Sequence, residues 1–159
     1  MEKLTSKIVA DPELSRIIVR AHFLGKTVVF TNGCFDIIHR GHVEYLLKAA
    51  KLGSILIVGL NSDSSVKKLK GANRPIQDQE SRSRILASMY FVKYVVLFNE
   101  DTPYDLIKLV RPDILVKGGD YKPEDIVGYD IVTKYGGQVI TIPLVKGYST
   151  TTIINKLNK

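Results

Sequence analysis

Two histidines three residues apart, His39 and His42, follow a glycine-containing turn and are well placed to do chemistry. They stand at the start of a helix predicted by apolar residues that recur every three to four positions from His42 onward. Unpaired N–H groups at a helix N-terminus attract anions, and Gly41 lets a ligand approach the backbone closely. Two imidazoles at this place could donate hydrogen bonds to phosphoryl oxygens as negative charge develops, which is the main form of catalysis in phosphoryl and nucleotidyl transfer.

Other interpretations of the same residues stay open. The two histidines could be structural or surface residues. They could also be half of a metal site, and the nearby Cys34 and Asp36 make zinc possible. Their position at a helix start after a glycine turn favours the phosphate interpretation over the metal one. Cys34 is the only cysteine of the chain, so an intramolecular disulfide is excluded, and a small buried side chain in a turn is favoured over a nucleophile.

Alternating strands and helices must position these residues. An apolar, β-branched run ends at Asn32-Gly33 before the histidine helix, and a second buried strand follows that helix. Strand, helix and strand in this order form a right-handed unit of a parallel sheet, in which ligands bind beyond the carboxyl ends of the strands. Asn32 and Asp63 are therefore expected to face one crevice. The predicted fold class is α/β, a single doubly wound parallel sheet of five strands at residues 27–30, 54–60, 94–98, 114–116 and 139–144, preceded by a packing helix within residues 3–24.

Size and charge limit the class of protein. A chain of 159 residues with 45% hydrophobic residues is typical of one ordinary globular domain. Without a long apolar run or an apolar leader, a cytoplasmic location and no membrane partner are expected. The net charge of +7 suits polyanions, either nucleic acid or nucleotides and sugar phosphates, and a solvated lysine surface would also explain much of it. No nucleic-acid-binding motif accompanies the charge, so no nucleic-acid partner is expected.

The residues from Thr31 to His42 also carry a family resemblance. His39-Arg40-Gly41-His42, preceded by TNGCFD, resembles the H-x-G-H signature of the cytidylyltransferase-like nucleotidyltransferases. The longer run FTNGCFDIIHRGHVEYL is similar to the branch of this family that makes ADP-heptose from ATP and heptose 1-phosphate. The likeness extends over roughly residues 25–156. It implies a Rossmann-like nucleotidyltransferase fold for residues 1–159 as a single domain, with residues 1–25 as an N-terminal packing region and residues 26–157 as the catalytic core.

Three further stretches resemble the same family. Residues 59–76 match its GLNSDxSVxxLKGxxRPI pattern, which favours Lys70 and Arg74 over the neighbouring lysines as ligand contacts. Arg82 matches a phosphate-binding arginine by its spacing to Leu86 and Val92, although Arg84 competes with it and Lys93 stands where the family commonly has an acidic residue. The KGGDY loop at residues 117–121 and the S-T-T opening of the last helix, predicted at residues 153–157, complete the likeness.

The resemblance implies a role for each matched residue. The catalytic residues are expected to be His39, His42, Lys70 and Arg82. The nucleotide-binding residues are expected to be Thr31, Asn32, Gly33, Cys34, Phe35, Gly41, Asn61, Asp63, Lys117, Gly118, Asp120, Ser149, Thr150 and Thr151, and the substrate-binding residues Asp36, Arg74 and Tyr121. The implied cofactor is Mg²⁺ bound with ATP, with no side-chain metal ligand assigned. The implied partners are ATP, heptose 1-phosphate and further copies of the chain in a dimer or larger homo-oligomer.

Rival functions stay open at this point. The same chemistry could act on glycerol 3-phosphate, phosphoethanolamine or FMN. A regulatory module could keep the fold and bind a nucleotide without turnover, although the intact histidine pair argues against it. A basic nucleic-acid-binding domain would need salt-sensitive oligonucleotide binding and no His39.

Overall fold

Strands and helices alternate along the chain in the computed structural model, which describes residues 2–157. The strands are β1 (Ile8–Val9), β2 (Val28–Gly33), β3 (Ile55–Asn61), β4 (Tyr94–Phe98), β5 (Ile114–Gly118) and β6 (Gln138–Ile142). The helices are α1 (Glu2–Thr5), α2 (Asp11–Phe23), α3 (Arg40–Ala50), α4 (Asp63–Lys70), α5 (Gln79–Ser88), α6 (Tyr104–Val110), α7 (Tyr129–Lys134) and α8 (Thr150–Leu157), with a 3₁₀ turn at Pro123–Asp125. No helix among these residues is both long and apolar enough to cross a bilayer.

All six strands are parallel and form one sheet in the order β1-β4-β3-β2-β5-β6. The chain leaves β2 toward β3 and β4 and later returns to place β5 on the other side of β2. The strand order therefore reverses at β2, and a topological switch point of this kind opens a crevice at the carboxyl ends of the strands. The predicted doubly wound α/β sheet is confirmed, with six strands instead of five.

The sixth strand lies where the sequence predicted only helix. Ile8 and Val9 pair with Val95 and Val96 of β4, and the long helix begins afterwards at Asp11. Two residues are too few to show the alternation that identifies a strand in a sequence. The ammonium group of Lys7 fixes this segment, because it donates to three backbone carbonyls at the end of α5 and just beyond it, those of Ala87 (2.9 Å), Met89 (3.1 Å) and Val92 (2.9 Å).

The last helix begins three residues earlier than predicted, at Thr150 instead of residue 153. The Ser149 hydroxyl accepts the backbone N–H of Thr152 (3.0 Å) and the Ser149 carbonyl accepts that of Ile153 (3.2 Å), so Ser149 caps the helix. The S-T-T motif therefore includes the cap and the first turn. The strand before it, β6, ends at Ile142, and Pro143 follows it.

Both faces of the sheet are buried, which explains why the strands read as continuous apolar runs. Val28, Phe30 and Ile57 pack on one face with residues of α2, α6 and α7. Val29 and Val58 pack on the other face with residues of α3 and α5. With its faces covered, the sheet leaves the carboxyl ends of its strands as the open edge where a ligand can reach the backbone.

Candidate active site

A crevice with a volume of about 580 Å³ lies beyond the carboxyl ends of the strands next to the switch point. It brings together many of the residues predicted for the site, namely Asn32, Gly33, Cys34, Phe35, Asp36, His42, Asn61, Lys70, Arg74, Lys117, Gly118, Thr150 and Thr151. An adjoining cavity of about 250 Å³ adds His39, Gly41 and Ser149. Tyr121 lines a third, smaller cavity that shares Asn32 and Lys117 with the other two.

His39 and His42 form a stacked pair at the N-terminus of α3. Their ring centroids are 3.8 Å apart with an interplanar angle of 18°. Nδ1 of His39 accepts the backbone N–H of His42 at 3.4 Å, so His39 caps the helix with its side chain. Because that nitrogen accepts, the neutral ring carries its proton on Nε2, which is left to donate to a ligand.

Gly41 makes this stacking possible. A Cβ atom at Gly41 would lie 3.1 Å from the His39 ring and 3.3 Å from the Cβ of Tyr148. A side chain at this position would therefore force the His39 ring or Tyr148 to shift by a few tenths of an ångström. The Phe35 ring supports the pair from the other side, with its edge against His42 at a centroid distance of 5.3 Å.

Both histidines are neutral at neutral pH in the free protein. Burial, followed by the neighbouring His39, lowers the pKa of His42 from its ordinary value of 6.5 to about 4, although a hydrogen bond with the Ile37 backbone opposes the shift. Burial also lowers the pKa of His39. Nδ1 of His42 is buried without a hydrogen-bond partner of normal geometry among the described residues. The pair is thus held in the uncharged form, with one N–H on each ring.

The N-terminus of α8 faces the same space as the N-terminus of α3. Thr150 and Thr151 line the crevice, and Ser149 lines the adjoining cavity. Tyr148 connects the two helices, because its ring lies 6.5 Å from that of His39 and the Arg40 guanidinium lies 5.6 Å above it. Two helix N-termini directed at one cavity give a strong local preference for anions.

Cationic side chains reinforce that preference. Lys70 and Lys117 line the crevice, and Lys117 contacts Asn32 with its Nζ atom 3.4 Å from Oδ1. Burial lowers the pKa of Lys117, and repulsion from Lys70 contributes in the same direction. A bound anion between the two ammonium groups would relieve this repulsion.

Asp36 and Arg74 bind each other in this structure. Nε of Arg74 donates to Oδ2 of Asp36 at 2.6 Å, and the carboxylate also accepts the backbone N–H groups of Ile76 and Gln77. Burial alone would raise the pKa of Asp36, but these hydrogen bonds and the Arg74 charge hold it below its usual value. The predicted substrate contact by these two residues stays a prediction. The pair itself fastens the loop after α4 to the turn after β2.

Arg82 lies beneath the crevice and does not line it. Its side chain is fully buried. The guanidinium donates to the carbonyls of Cys34 (2.6 Å), Asn61 (2.8 Å) and Gln77 (3.0 Å) and to the Asp63 carboxylate (2.8 Å). Four of its five N–H donors are used inside the protein and it lines none of the three cavities, so the phosphate contact by Arg82 stays a prediction that this placement does not support. Arg84 is exposed and pairs with Glu80, so it does not take that role in this structure either.

Other predicted residues also lie outside the three cavities. Thr31 is fully buried, and its hydroxyl shares a hydrogen bond of 2.6 Å with Tyr45, whose hydroxyl donates to the Val116 carbonyl (3.2 Å). These two hydrogen bonds join α3 to β2 and β5, so Thr31 helps to position the helix that carries His42. The Asp63 carboxylate accepts a hydrogen bond from Arg82, and Asp120 is exposed in the loop after β5. Burial raises the pKa of the Cys34 thiol, which favours the predicted packing role over a nucleophile.

The sequence analysis missed several lining residues. The large crevice is also lined by Leu69, Asp101, Thr102, Pro103 and Val127, and the adjoining cavity by Tyr45, Leu144, Val145 and Tyr148. Most come from loops whose path across the sheet edge leaves no local pattern. Tyr148 carries a usable signal, because it directly precedes Ser149, which caps α8.

Within residues 2–157 no group of three or more histidine, cysteine, aspartate or glutamate side chains could hold a metal ion. The zinc interpretation of Cys34, Asp36, His39 and His42 therefore has no support from their placement. The Asp36 carboxylate is occupied by Arg74 and two N–H groups.

Comparisons with known proteins agree with this geometry. The family model described as cytidylyltransferase-like matches residues 30–156. The chain is 54% identical over 152 residues to the bifunctional protein HldE of Syntrophotalea carbinolica, covering 96% of this chain and 31% of that protein. It is 54% identical over 154 residues to the bifunctional protein HldE of Nitratiruptor sp., covering 96% of this chain and 32% of that protein. The chain thus spans about a third of the length of the curated relatives it matches.

Solved structures give the same result for the fold. The lipopolysaccharide core biosynthesis protein from Thermoplasma volcanium superposes with a TM-score of 0.63 at 30% identity, covering 79% of this chain and all of that one. Pantoate-beta-alanine ligase from Francisella tularensis superposes with a TM-score of 0.62 at 14% identity, covering 95% of this chain and 76% of that one. The second likeness concerns the fold alone.

The Arg82→Met variant tests whether Arg82 is structural. It should lower the free energy of unfolding by about 3 to 5 kcal/mol, because it leaves the buried Asp63 contact and three carbonyls without their donor. Urea unfolding followed by circular dichroism measures this. The matched control is Arg84→Met two residues away, which removes only an exposed pair and should change stability by less than about 0.5 kcal/mol. An Arg82→Met protein as stable as the wild type, but with weaker ATP binding, would restore the phosphate-contact interpretation.

The His42 ring should titrate with a midpoint near pH 4 in the free protein, measured by NMR of the imidazole carbons. Since the unfolded chain has the higher histidine pKa, it binds more protons than the folded protein between about pH 6.5 and pH 4. Stability contributed by neutral His42 is therefore present above this window and lost as the pH falls through it. The His42→Asn variant should lose less stability than the wild type over this range. A midpoint at or above 6.5 would contradict the neutral stacked pair.

Proposed function

The chain belongs to the cytidylyltransferase-like family of nucleotidyltransferases, and we propose that it transfers the AMP group of ATP to a heptose 1-phosphate, giving ADP-heptose and pyrophosphate. The observation that carries the proposal is the meeting of two helix N-termini, a neutral histidine pair and two lysines on one crevice. Such a crevice suits a triphosphate, because each of these groups stabilises negative charge.

The proposed reaction is an in-line displacement at the α-phosphorus. An oxygen of the sugar phosphate forms a new bond to that phosphorus, the bond to the bridging oxygen breaks, and the electron pair leaves with pyrophosphate. The attacking phosphate is already an anion at neutral pH, so no general base is needed. This agrees with a site that has no pair of free carboxylates or nucleophile–base couple among its lining residues.

The residues of the chain would act by alignment and charge. His39 and His42 would donate to the α- and β-phosphates, and Lys70 with the N-terminus of α8 would surround the leaving pyrophosphate. Because His39 caps α3 through Nδ1, its Nε2–H has a fixed direction before the substrate arrives. Arg82 would contribute indirectly, by holding the turn that carries Cys34 and the end of β3 at Asn61.

Mg²⁺ would enter with the nucleotide. When bound, such an ion neutralises phosphate charge and orients the leaving group. The donors that line the crevice are mostly cationic or neutral, and the buried carboxylate of Asp36 is already paired with Arg74. The residues present therefore fit an ion held chiefly by phosphate oxygens rather than by a side-chain cage.

The choice of heptose and adenine rests on sequence likeness. The run from Phe30 to Leu46 resembles the ADP-heptose branch, and the HldE proteins share about half of their aligned residues with this chain. The Thermoplasma relative is described as a lipopolysaccharide core biosynthesis protein. The remaining two-thirds of the HldE proteins lie outside the match, so the second activity that the word bifunctional implies is not proposed for this chain.

Pyrophosphate release with Mg²⁺ tests the function directly, with ATP and CTP each crossed against heptose 1-phosphate and glycerol 3-phosphate. We expect release only with ATP and heptose 1-phosphate. Release with CTP and glycerol 3-phosphate would keep the reaction class and reject the substrate. The absence of release in every combination, with ATP still binding, would favour a nucleotide-binding module without turnover.

The His42→Ala variant should lower kcat by about 10² to 10³, the usual loss for a donor that acts on the transition state. The control is His22→Ala, because His22 is exposed on α2 beside a cavity lined by Asp113 and Gly136, away from the crevice. Its kcat should equal that of the wild type. Circular dichroism spectra of both variants check that the fold is kept, and an unchanged kcat in a folded His42→Ala protein would remove this role from His42.

A further inference from the structure

Helix α2 carries apolar side chains on two opposite faces. Leu14, Ile18 and Ala21 are buried in the core beside the sheet. On the outer face Val19 is 71% exposed and Phe23 is 88% exposed. A surface helix usually has polar residues on its outer face, and a contiguous apolar patch there marks an interaction site. The outer face of α2 is therefore a candidate for contact with another molecule.

The outer face has the shape of a groove between two ridges. Ser15, Val19 and Phe23 follow one another at intervals of four residues and form one ridge, and Arg16 and Arg20 form the other. Helices pack on each other by placing the ridge of one in the groove of the other. The groove on α2 therefore suits a second helix that presents an apolar ridge.

The groove is separate from the crevice. Every residue that lines it belongs to α2, and none of them lines the crevice or the two cavities that adjoin it. The family model matches residues 30–156, so α2 also lies outside the matched part of the chain. An interaction at this groove is therefore independent of the proposed function.

Charged residues at the two ends of α2 indicate what the groove binds. Asp11 and Glu13 lie in the first turn of the helix, and Arg20 and His22 lie in its last turn. At about 100° per residue, Glu13 and Arg20 lie on one side of the groove and Asp11 and His22 on the other. Within residues 2–157 none of the four forms an ion pair. Each side of the groove therefore has an acidic end and a basic end.

The α2 helix of a second copy matches this pattern when the two helices are antiparallel. Two-fold symmetry then brings the same side of both grooves together, with the first turn of one helix beside the last turn of the other. When Val19 of one copy lies opposite Arg16 of the other, Glu13 of each copy comes within about one helical turn of Arg20 of the other. The aliphatic stem of Arg16 can cover Val19 while its guanidinium stays in water.

Other occupants match the charges less well. A parallel pair of α2 helices would place acidic residues beside acidic ones and align the two helix dipoles, and both effects oppose association. An acidic peptide would be attracted by Arg16 and Arg20 but repelled by Asp11 and Glu13. The antiparallel pair is the arrangement in which each charged end of the groove meets its opposite.

We propose that the outer face of α2 is a homodimerisation surface, on which the α2 helices of two copies pack antiparallel, with ion pairs between Glu13 of each copy and Arg20 of the other. Because α2 has 13 residues, it is about 20 Å long, and a single helix pair of this length is smaller than a standard protein interface. The dimer is therefore expected to be weak, with a Kd of the order of 1 to 100 µM.

Sedimentation velocity of the whole chain at about 1 to 500 µM tests the surface, because this range brackets the expected Kd. The wild type should change from monomer to dimer. Val19→Lys places a cation opposite Arg16 of the other copy and should leave the protein monomeric throughout. The matched control is Tyr90→Lys, since Tyr90 is 85% exposed and its neighbours Met89 and Phe91 pack on the other face of the sheet. This control should dimerise as the wild type does, and circular dichroism checks the fold of both variants.

Charge reversal tests the antiparallel register. Glu13→Arg and Arg20→Glu should each raise the Kd of the dimer about fivefold to tenfold, because each turns two attractive pairs into repulsive ones. The double variant Glu13→Arg/Arg20→Glu restores both pairs with their signs exchanged, and its Kd should return to within about threefold of the wild-type value. The proposal is overturned if the double variant dimerises as weakly as the single ones or if Val19→Lys dimerises like the wild type. A wild type that stays monomeric throughout also overturns it and would assign the groove to a different protein.

Discussion

The buried guanidinium of Arg82 is the interaction on which the floor of the crevice depends. It holds three segments of the chain through the carbonyls of Cys34, Asn61 and Gln77 and the carboxylate of Asp63. The first segment follows β2, the second is the junction between the end of β3 and the start of α4, and the third precedes α5. A planar fork with five donors can satisfy such a set of acceptors at fixed angles, which an ammonium group cannot do. The loops beside the histidines are thus positioned from below by a residue that does not line the cavity.

The electrostatic character of the crevice favours an anionic ligand. Two helix N-termini, Lys70 and Lys117 surround a space in which the buried carboxylate, Asp36, is already neutralised by Arg74. Lys117 is partly buried and is repelled by Lys70, which disfavours the empty state. The histidines add donors without adding charge, because burial keeps them neutral. The arrangement is therefore fixed before a ligand binds, which is the condition for electrostatic catalysis.

The sequence was enough to predict the class of fold and much of the lining of the crevice, since strand ends and helix starts carry local patterns. His42 was found in this way, whereas Lys117 and Thr150 were assigned to the site through the family resemblance. The sequence could not distinguish a residue that lines the crevice from one that is buried just below it. Thr31 and Arg82 belong to the same motifs as their neighbours, and only their tertiary contacts show that they are buried. The two-residue strand β1 and the wall formed by Pro103 and Val127 depend on distant parts of the chain and leave no periodic signal.

The shortness of β1 has a consequence for how copies of the protein can meet. An open parallel sheet has two edge strands whose free N–H and C=O groups can pair with another chain and lead to aggregation. At one edge β1 offers only Ile8 and Val9 before the helix that contains Pro12 turns the chain away. At the other edge β6 stops before Pro143, which has no N–H to donate. Strand addition is therefore limited to two residues at the β1 edge and ends at Pro143 at the β6 edge, which disfavours extension of the sheet by a further copy of the chain.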